Sequence, residues 1–86
     1  MSTMRDRFCR VCGYEPTIWP WGRNGLAPSY GICDCCNAEW GFDDCDPETA
    51  MACRSRWLAA GAPWASKTKA DGLTTAERLS RIGVVV

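Results

Sequence analysis

The sequence contains no histidine. That absence removes the commonest general base, the partner of a serine or cysteine nucleophile in a triad, and every mixed Cys/His zinc site. Any metal must be held by thiolates, with carboxylates as the only helpers. Long apolar runs are missing too: no stretch approaches the ~18 residues of a membrane span, and Met1-Ser2-Thr3-Met4-Arg5-Asp6-Arg7 leads into no signal-peptide core. A cytoplasmic protein is the expectation. Net charge is also lacking. Ten basic residues balance ten acidic ones, with a pI near 6.1, whereas a general nucleic-acid binder carries a basic surplus.

What is abundant is cysteine, seven in 86 residues. A chain of this length forms one domain that buries only ~60% of its unfolded surface, so its core needs a staple such as a metal or disulfides. Persistent bridges do not suit a reducing cytosol, and an odd number would leave a thiol over. Metal binding is the better explanation.

Cys9/Cys12 and Cys33/Cys36 both have the C-x2-C spacing, with twenty residues between the pairs, at the upper edge of a familiar zinc pattern. Two intervening residues let the chain curl so that both sulfurs face one ion. The residue after the second ligand often needs a positive φ. Gly13 follows Cys12 and Asn37 follows Cys36, the residue types that enter that region most readily. Four thiolates make a closed tetrahedral site with no position for substrate, so one structural Zn2+ on Cys9, Cys12, Cys33 and Cys36 is expected. Cys35 sits inside the second knuckle, where its side chain is expected to point away from the metal face, with competition against Cys36 as ligand the alternative. Cys53 reads as a small buried hydrophobe, and Cys45 precedes a helix start. Neither C-x2-C lies in the βαβ setting of a thioredoxin-like motif.

The fold class predicted is a small metal-stabilised α+β domain: a zinc-ribbon-like two-knuckle β unit, one amphipathic helix, and a short C-terminal helix. Residues 1–7 form a basic arm, 8–65 the zinc-ribbon-like domain, and 66–86 a linker and tail. Residues 8–42 hold seven of the nine aromatics among prolines and glycines, with Asn24-Gly25 marking a turn in the loop between the knuckles and 29–32 a short strand. Asp46-Pro47-Glu48 starts a helix over about 47–60, stopped by Gly61 and Pro63. Ala50, Met51, Cys53, Trp57 and Leu58 form its apolar stripe, and Trp64 folds back on the core. Ser66 to Gly72 reads as a mobile linker. Thr74-Thr75-Ala76-Glu77 offers a capping box for the last helix, with Ala76, Leu79 and Ile82 on one side.

The zero net charge conceals segregation. No Lys or Arg falls between Arg23 and Arg54, where Asp34, Glu39, Asp43, Asp44, Asp46 and Glu48 all lie. Solvated surface is the ordinary meaning of such a run, and the sharper reading is a face complementary to a basic partner.

Together, Cys9-Arg-Val-Cys12-Gly13-Tyr14, Tyr30-Gly31-Ile32-Cys33-Asp34-Cys35-Cys36, Glu39-Trp40-Gly41-Phe42-Asp43-Asp44 and Arg56-Trp57-Leu58-Ala59-Ala60-Gly61-Ala62-Pro63-Trp64 resemble the small bacterial cysteine-rich family known for its CPCC motif. The resemblance covers residues 9–64, with Asp34 where the family's motif has proline. Its members often lie near toxin systems, which implies immunity-like roles for some.

The leading functional expectation is therefore a structural-zinc module that binds a protein through Asp34, Glu39, Trp40, Asp43 and Asp44, with Trp40 as anchor, as an immunity protein would hold a toxin or other basic partner. The alternative is a nucleic-acid-binding zinc ribbon using Arg5, Arg7, Arg10 and Arg23, with Trp19 and Trp21 as stacking surfaces. An enzyme is not expected; with no histidine and a closed metal site, only Cys35 or Cys45 can be argued as a reactive thiol, and no nucleophile–base pairing is in view. No membrane partner is expected.

Overall fold

In a computed structural model of the protein, which describes residues 7–23 and 25–85, the two C-x2-C segments fold into matching turns. In the first, the Gly13 N–H donates to the Cys9 carbonyl and the Cys9 N–H to the Tyr14 carbonyl, both at 2.9 Å. In the second, Asn37 donates to Cys33 at 3.0 Å and Cys33 to Ala38 at 2.8 Å. Gly13 and Asn37 take φ of 80° and 66°, as the sequence predicts. The basic arm apart from Arg7, including Arg5, lies outside the described residues, as does Asn24 of the predicted turn.

The β unit does not form. Among the described residues the strand pairing amounts to one isolated antiparallel bridge, Ile32 with Glu39, flanked by bonds from Cys33 N–H to Ala38 and from Trp40 N–H to Gly31. The backbone explains why the ladder stops there. Tyr30 has φ 58° and so leaves the β region, and Pro28 has no N–H to give. On the other side the Glu39 carbonyl is already taken by the Phe42 and Asp43 amides. The knuckles are thus held by turns and not by a ribbon of strands.

Helix α1, Pro47–Ala59, follows the predicted bounds within a residue. Asp46 caps it, its Oδ1 accepting the Thr49 N–H at 2.7 Å, and Pro47 stands where its missing N–H costs nothing. Gly61 at φ 94° and Ala62 at φ 52° turn the chain away, with the Ala62 N–H bonded to the Trp57 carbonyl. Ala50, Cys53 and Trp57 face the core, at i, i+3 and i+7. Met51, predicted on that stripe, is exposed instead, and Leu58 packs only at the core's margin.

The segment after α1 is tied down rather than free. Ala65 and Ser66 donate to the carbonyls of Cys35 and Asp34 at 2.9 and 2.8 Å, binding it to the second knuckle. A single 3-10 turn, Lys67–Lys69, follows. Helix α2, Thr75–Ser80, carries the full capping box: Glu77 N–H to Thr74 Oγ1, and Thr74 N–H to Glu77 Oε1. A helix of six residues has no stability alone, and α2 forms because it docks. Leu79 is fully buried and Ile82 half-buried, while Ala76 is exposed. The docking surface is the first knuckle: a Cβ on Gly13 would overlap the Arg78 carbonyl oxygen. Arg81 completes the seam, donating to the Gly13 carbonyl at 3.3 Å. The Cα radius of gyration, 11.6 Å, matches the ~12 Å of a compact chain of this length. Among the described residues, no helix is long and apolar enough to cross a membrane.

Candidate metal centre

The matched turns bring Cys9, Cys12, Cys33 and Cys36 together with all four sulfurs within 4.8 Å of one another, every one of them buried. Among the described residues this is the group close enough to hold a metal ion. The contacts between the two halves are Cys9 Sγ to Cys36 Sγ at 3.7 Å and Cys12 Sγ to Cys33 Sγ at 3.6 Å. A regular tetrahedron of thiolates around an ion at ~2.3 Å has sulfurs about 3.8 Å apart. Those two separations match the edge of a four-thiolate site, and these four residues would hold the ion.

The apposed sulfurs shape one another's protonation. Burial pushes the Cys9 thiol up, but its interactions with the neighbouring thiols of Cys12, Cys33 and Cys36 outweigh that, and its pKa falls well below that of an ordinary thiol. Cys12 is raised, chiefly by its contact with Cys33 and then by Cys35, Cys36 and Cys9. Cys36 is lowered by Cys12 but raised more by Cys33, Cys9 and burial. A cation entering the cluster displaces whatever protons its thiols carry.

Several contacts hold the ligands in place. The Cys35 N–H reaches the Cys33 sulfur at 3.4 Å. Arg54 of α1 donates Nε–H to the Val11 carbonyl at 2.7 Å and Nη2–H to the Arg10 carbonyl at 2.8 Å, clamping the first knuckle from outside. A shallow hollow lined by Cys36, Asn37, Trp57, Pro63, Trp64 and Ala65 lies over the second knuckle. Tyr14 and Trp64 meet edge to face at 5.5 Å. Cys35 is fully buried outside the four-sulfur group, Cys53 is buried on α1 with its pKa raised by burial, and Cys45 is exposed.

The predicted partner face does not survive as drawn. Trp40 is only 3% exposed and Asp44 is 0% exposed. Asp44 accepts the Trp21 Nε1–H at 2.9 Å and the Gly41 N–H at 2.7 Å, so it is an internal acceptor that fixes the 19–23 loop against the turn after Trp40. Burial raises its pKa, against the pull of those two donors. Asp43 is half-buried, its Oδ2 accepting the Glu39 N–H. Asp34 and Glu39 stay partly accessible. The side chains that reach solvent around them are Tyr30, Ile32 and Phe42, with 64%, 52% and 70% of their surface exposed. The Tyr30 ring lies over Gly41, the residue before Phe42 in the chain, and Ile32 shares the bridge with Glu39.

Of the nucleic-acid constellation, the structure does bring together the described members. Arg10 lies over the Trp21 ring at 4.0 Å, and Arg7 and Arg23 lie over Trp19 at 5.9 and 5.7 Å. These guanidinium groups occupy ring faces on which a base would stack.

Two buried charged residues have no signal in the sequence. Asp44 is one. Arg78, 2% exposed, is the other: it donates to Asp71 Oδ1 at 2.8 Å and the Leu73 carbonyl at 2.7 Å and lies 4.7 Å from the Trp64 ring centroid. The partners Trp21 and Asp71 stand 23 and 7 residues away, separations that no periodicity marks.

Comparison of the chain with family models, with curated proteins and with solved structures finds no match.

Proposed function

We propose that the protein is a module stapled by one structural zinc ion that binds a basic protein partner, in the manner of an immunity protein. The four-sulfur cluster carries the first half of this reading. Four buried thiolates leave no coordination position for substrate, which suits a structural role. A tetrahedral all-sulfur site takes zinc or iron, and zinc suits a site whose task is folding.

The binding surface proposed is a revision of the one read from sequence. Tyr30, Ile32 and Phe42 replace Trp40 as the apolar anchors, and Asp34, Glu39 and Asp43 rim them with negative charge. Exposed aromatics are costly to leave in water, and aromatic anchors inside a charged rim are the usual composition of an interface. The absence of any Lys or Arg between Arg23 and Arg54 supports a positively charged partner, with the four-thiolate zinc site adding a formal −2 beneath the surface. The resemblance to the CPCC family agrees with an immunity-type partner.

Native mass spectrometry of the full chain purified from the cells that make it tests both halves. The expected result is one zinc per chain and a stoichiometric complex with one protein, lost in F42S and in E39K while zinc is retained. Iron in place of zinc overturns the metal assignment. Zinc-loaded chain with no stoichiometric partner, or a complex indifferent to both substitutions, overturns the binding assignment.

A further inference from the structure

A hollow of about 170 Å3, separate from the one over Cys36, is walled by residues from distant parts of the chain. Tyr14 and Thr17 follow the first knuckle, Asp34 lies within the second, and Lys69 ends the 3-10 turn. Backbone bonds carry them there. The Ser66 N–H on the Asp34 carbonyl anchors the start of that turn, and the Lys69 N–H donates to the Ser66 carbonyl at 3.0 Å, which curls Lys69 back toward the same knuckle. Gly31, also in the wall, leaves room for the Trp40 ring: a Cβ there would stand 3.2 Å from Cε3 and Cζ3.

The polar side chains of this hollow are unspent. Among the described residues, neither the Asp34 carboxylate nor the Lys69 ammonium makes a hydrogen bond or an ion pair, and the Tyr14 and Thr17 hydroxyls make no hydrogen bond. Ile18, Ile32 and Trp40 supply an apolar wall beside them. Apolar walls with a few convergent polar groups are the ordinary composition of a small-molecule site. The volume falls below the ~300–1,000 Å3 that drug-sized ligands occupy, so the occupant must be small. One carboxylate and one ammonium in so small a space call for a ligand that carries both charges. A lone anion would meet Asp34 as well as Lys69, and a lone cation would meet Lys69 as well as Asp34.

We infer that this hollow binds a free α-amino acid with an apolar side chain. The ligand's ammonium donates to Asp34, its carboxylate accepts from Lys69 and from the Tyr14 and Thr17 hydroxyls, and its side chain lies on Ile18, Ile32 and Trp40. The end of a polypeptide carries only one of the two charges and satisfies half of the site. Asp34 and Ile32 also border the proposed partner face, but the amino-acid site needs no partner.

The full chain as purified, isotopically labelled and with no partner present, is titrated with L-leucine and with L-valine and followed by NMR. The expected result is saturable movement of the Thr17, Ile32 and Lys69 amides by about 10 mM, where even a millimolar complex is nearly filled, with the α2 amides unmoved. N-acetyl-L-leucine and L-leucinamide each lack one charge and should bind at least about tenfold more weakly, the loss of one charge-assisted hydrogen bond. D34N and K69M should weaken L-leucine binding to the same extent, while K67M, which removes a charge from the same turn but outside the hollow, leaves it unchanged. No movement with either amino acid, equal binding of the two derivatives, or indifference to both D34N and K69M overturns the site. Each of these failures leaves the zinc and partner readings standing, because the chain is titrated alone.

Discussion

Substituting Gly13 separates two demands that coincide at one residue. Gly13 has φ 80°, and a Cβ there would strike the Arg78 carbonyl of α2. For alanine the left-handed conformation costs about 1–2 kcal/mol. Undocking α2 to relieve the overlap forfeits the burial of Leu79, about 1.5–3 kcal/mol. Even both losses together stay well below the ~10–16 kcal/mol apparent free energy of a structural zinc site. The first knuckle should therefore keep its shape and its metal, and α2 should leave. Hydrogen exchange of the zinc-loaded protein reads this directly. In G13A the α2 amides, among them Arg78 N–H on the Thr74 carbonyl, are expected to lose protection, with zinc affinity reduced by no more than about tenfold. G13N isolates the cause, because asparagine tolerates positive φ but still carries the offending Cβ. It should release α2 as G13A does. The converse variant N37G, at the exposed equivalent position of the second knuckle, should leave α2 in place. Retained α2 protection in G13N would show that backbone strain, and not the close approach, is what Gly13 relieves.

Three further outcomes follow from the same contacts. Six of the twelve residues in the core cluster are cysteines, so stripping the metal with a chelator should abolish the near-ultraviolet circular dichroism of the tryptophans, and C33S should lack it from the start; a persistent signal in metal-free protein would contradict a metal-built core. Removing the partner of buried Arg78 in D71A should cost up to about 3 kcal/mol in urea unfolding, while the double variant D71A/R78M should recover part of that loss; an equal or greater loss in the double variant would refute the account. Backbone N–H bonds from Thr49 and Thr74 hold the Asp46 and Glu77 carboxyls below their ordinary values. A depressed folded pKa gives stability that is present above the unfolded value and lost as pH falls through the folded one. The wild type should accordingly lose more stability than D46N/E77Q between about pH 5 and 3, around the unfolded carboxylate range, and parallel acid curves would count against the caps.

The parts of the molecule legible in the sequence were those governed by local rules. Two C-x2-C spacings with Gly13 and Asn37 behind them announced a four-sulfur site, because a metal ligand set and a positive φ are both written in short stretches. Asp46-Pro47 and Thr74-x-x-Glu77 marked helix starts for the same reason. The β unit misled because alternating aromatics and short apolar runs look strand-like, whereas the positive φ of Tyr30 and the turn amides on the Glu39 carbonyl end the ladder after one bridge. Trp40 and Asp44 looked like surface recognition residues because acidic neighbours surround them in the chain. Asp44 is drawn inward by Trp21 and Gly41, and Trp40 by Gly31 and the cysteine core. Arg54 and Arg78 carry no local mark of their roles, since nothing nearby in the chain tells that one guanidinium will donate to the Arg10 and Val11 carbonyls and the other will be buried on Asp71 and Leu73.

The loop between the knuckles gives the chain an unusual answer to proteolysis. Arg23 is exposed within it, and a cut after that residue yields one piece carrying Cys9 and Cys12 and another carrying Cys33 and Cys36. Each piece would hold half of the cysteine cluster, and an ion bound to all four sulfurs would keep the two together. Arg54 and Arg81 grip the smaller piece by its Arg10, Val11 and Gly13 carbonyls as well. A nicked molecule would thus travel as a single particle through gel filtration and come apart only when its sulfurs are protonated or its metal is withdrawn, so that an intact size under native conditions says nothing about an intact backbone.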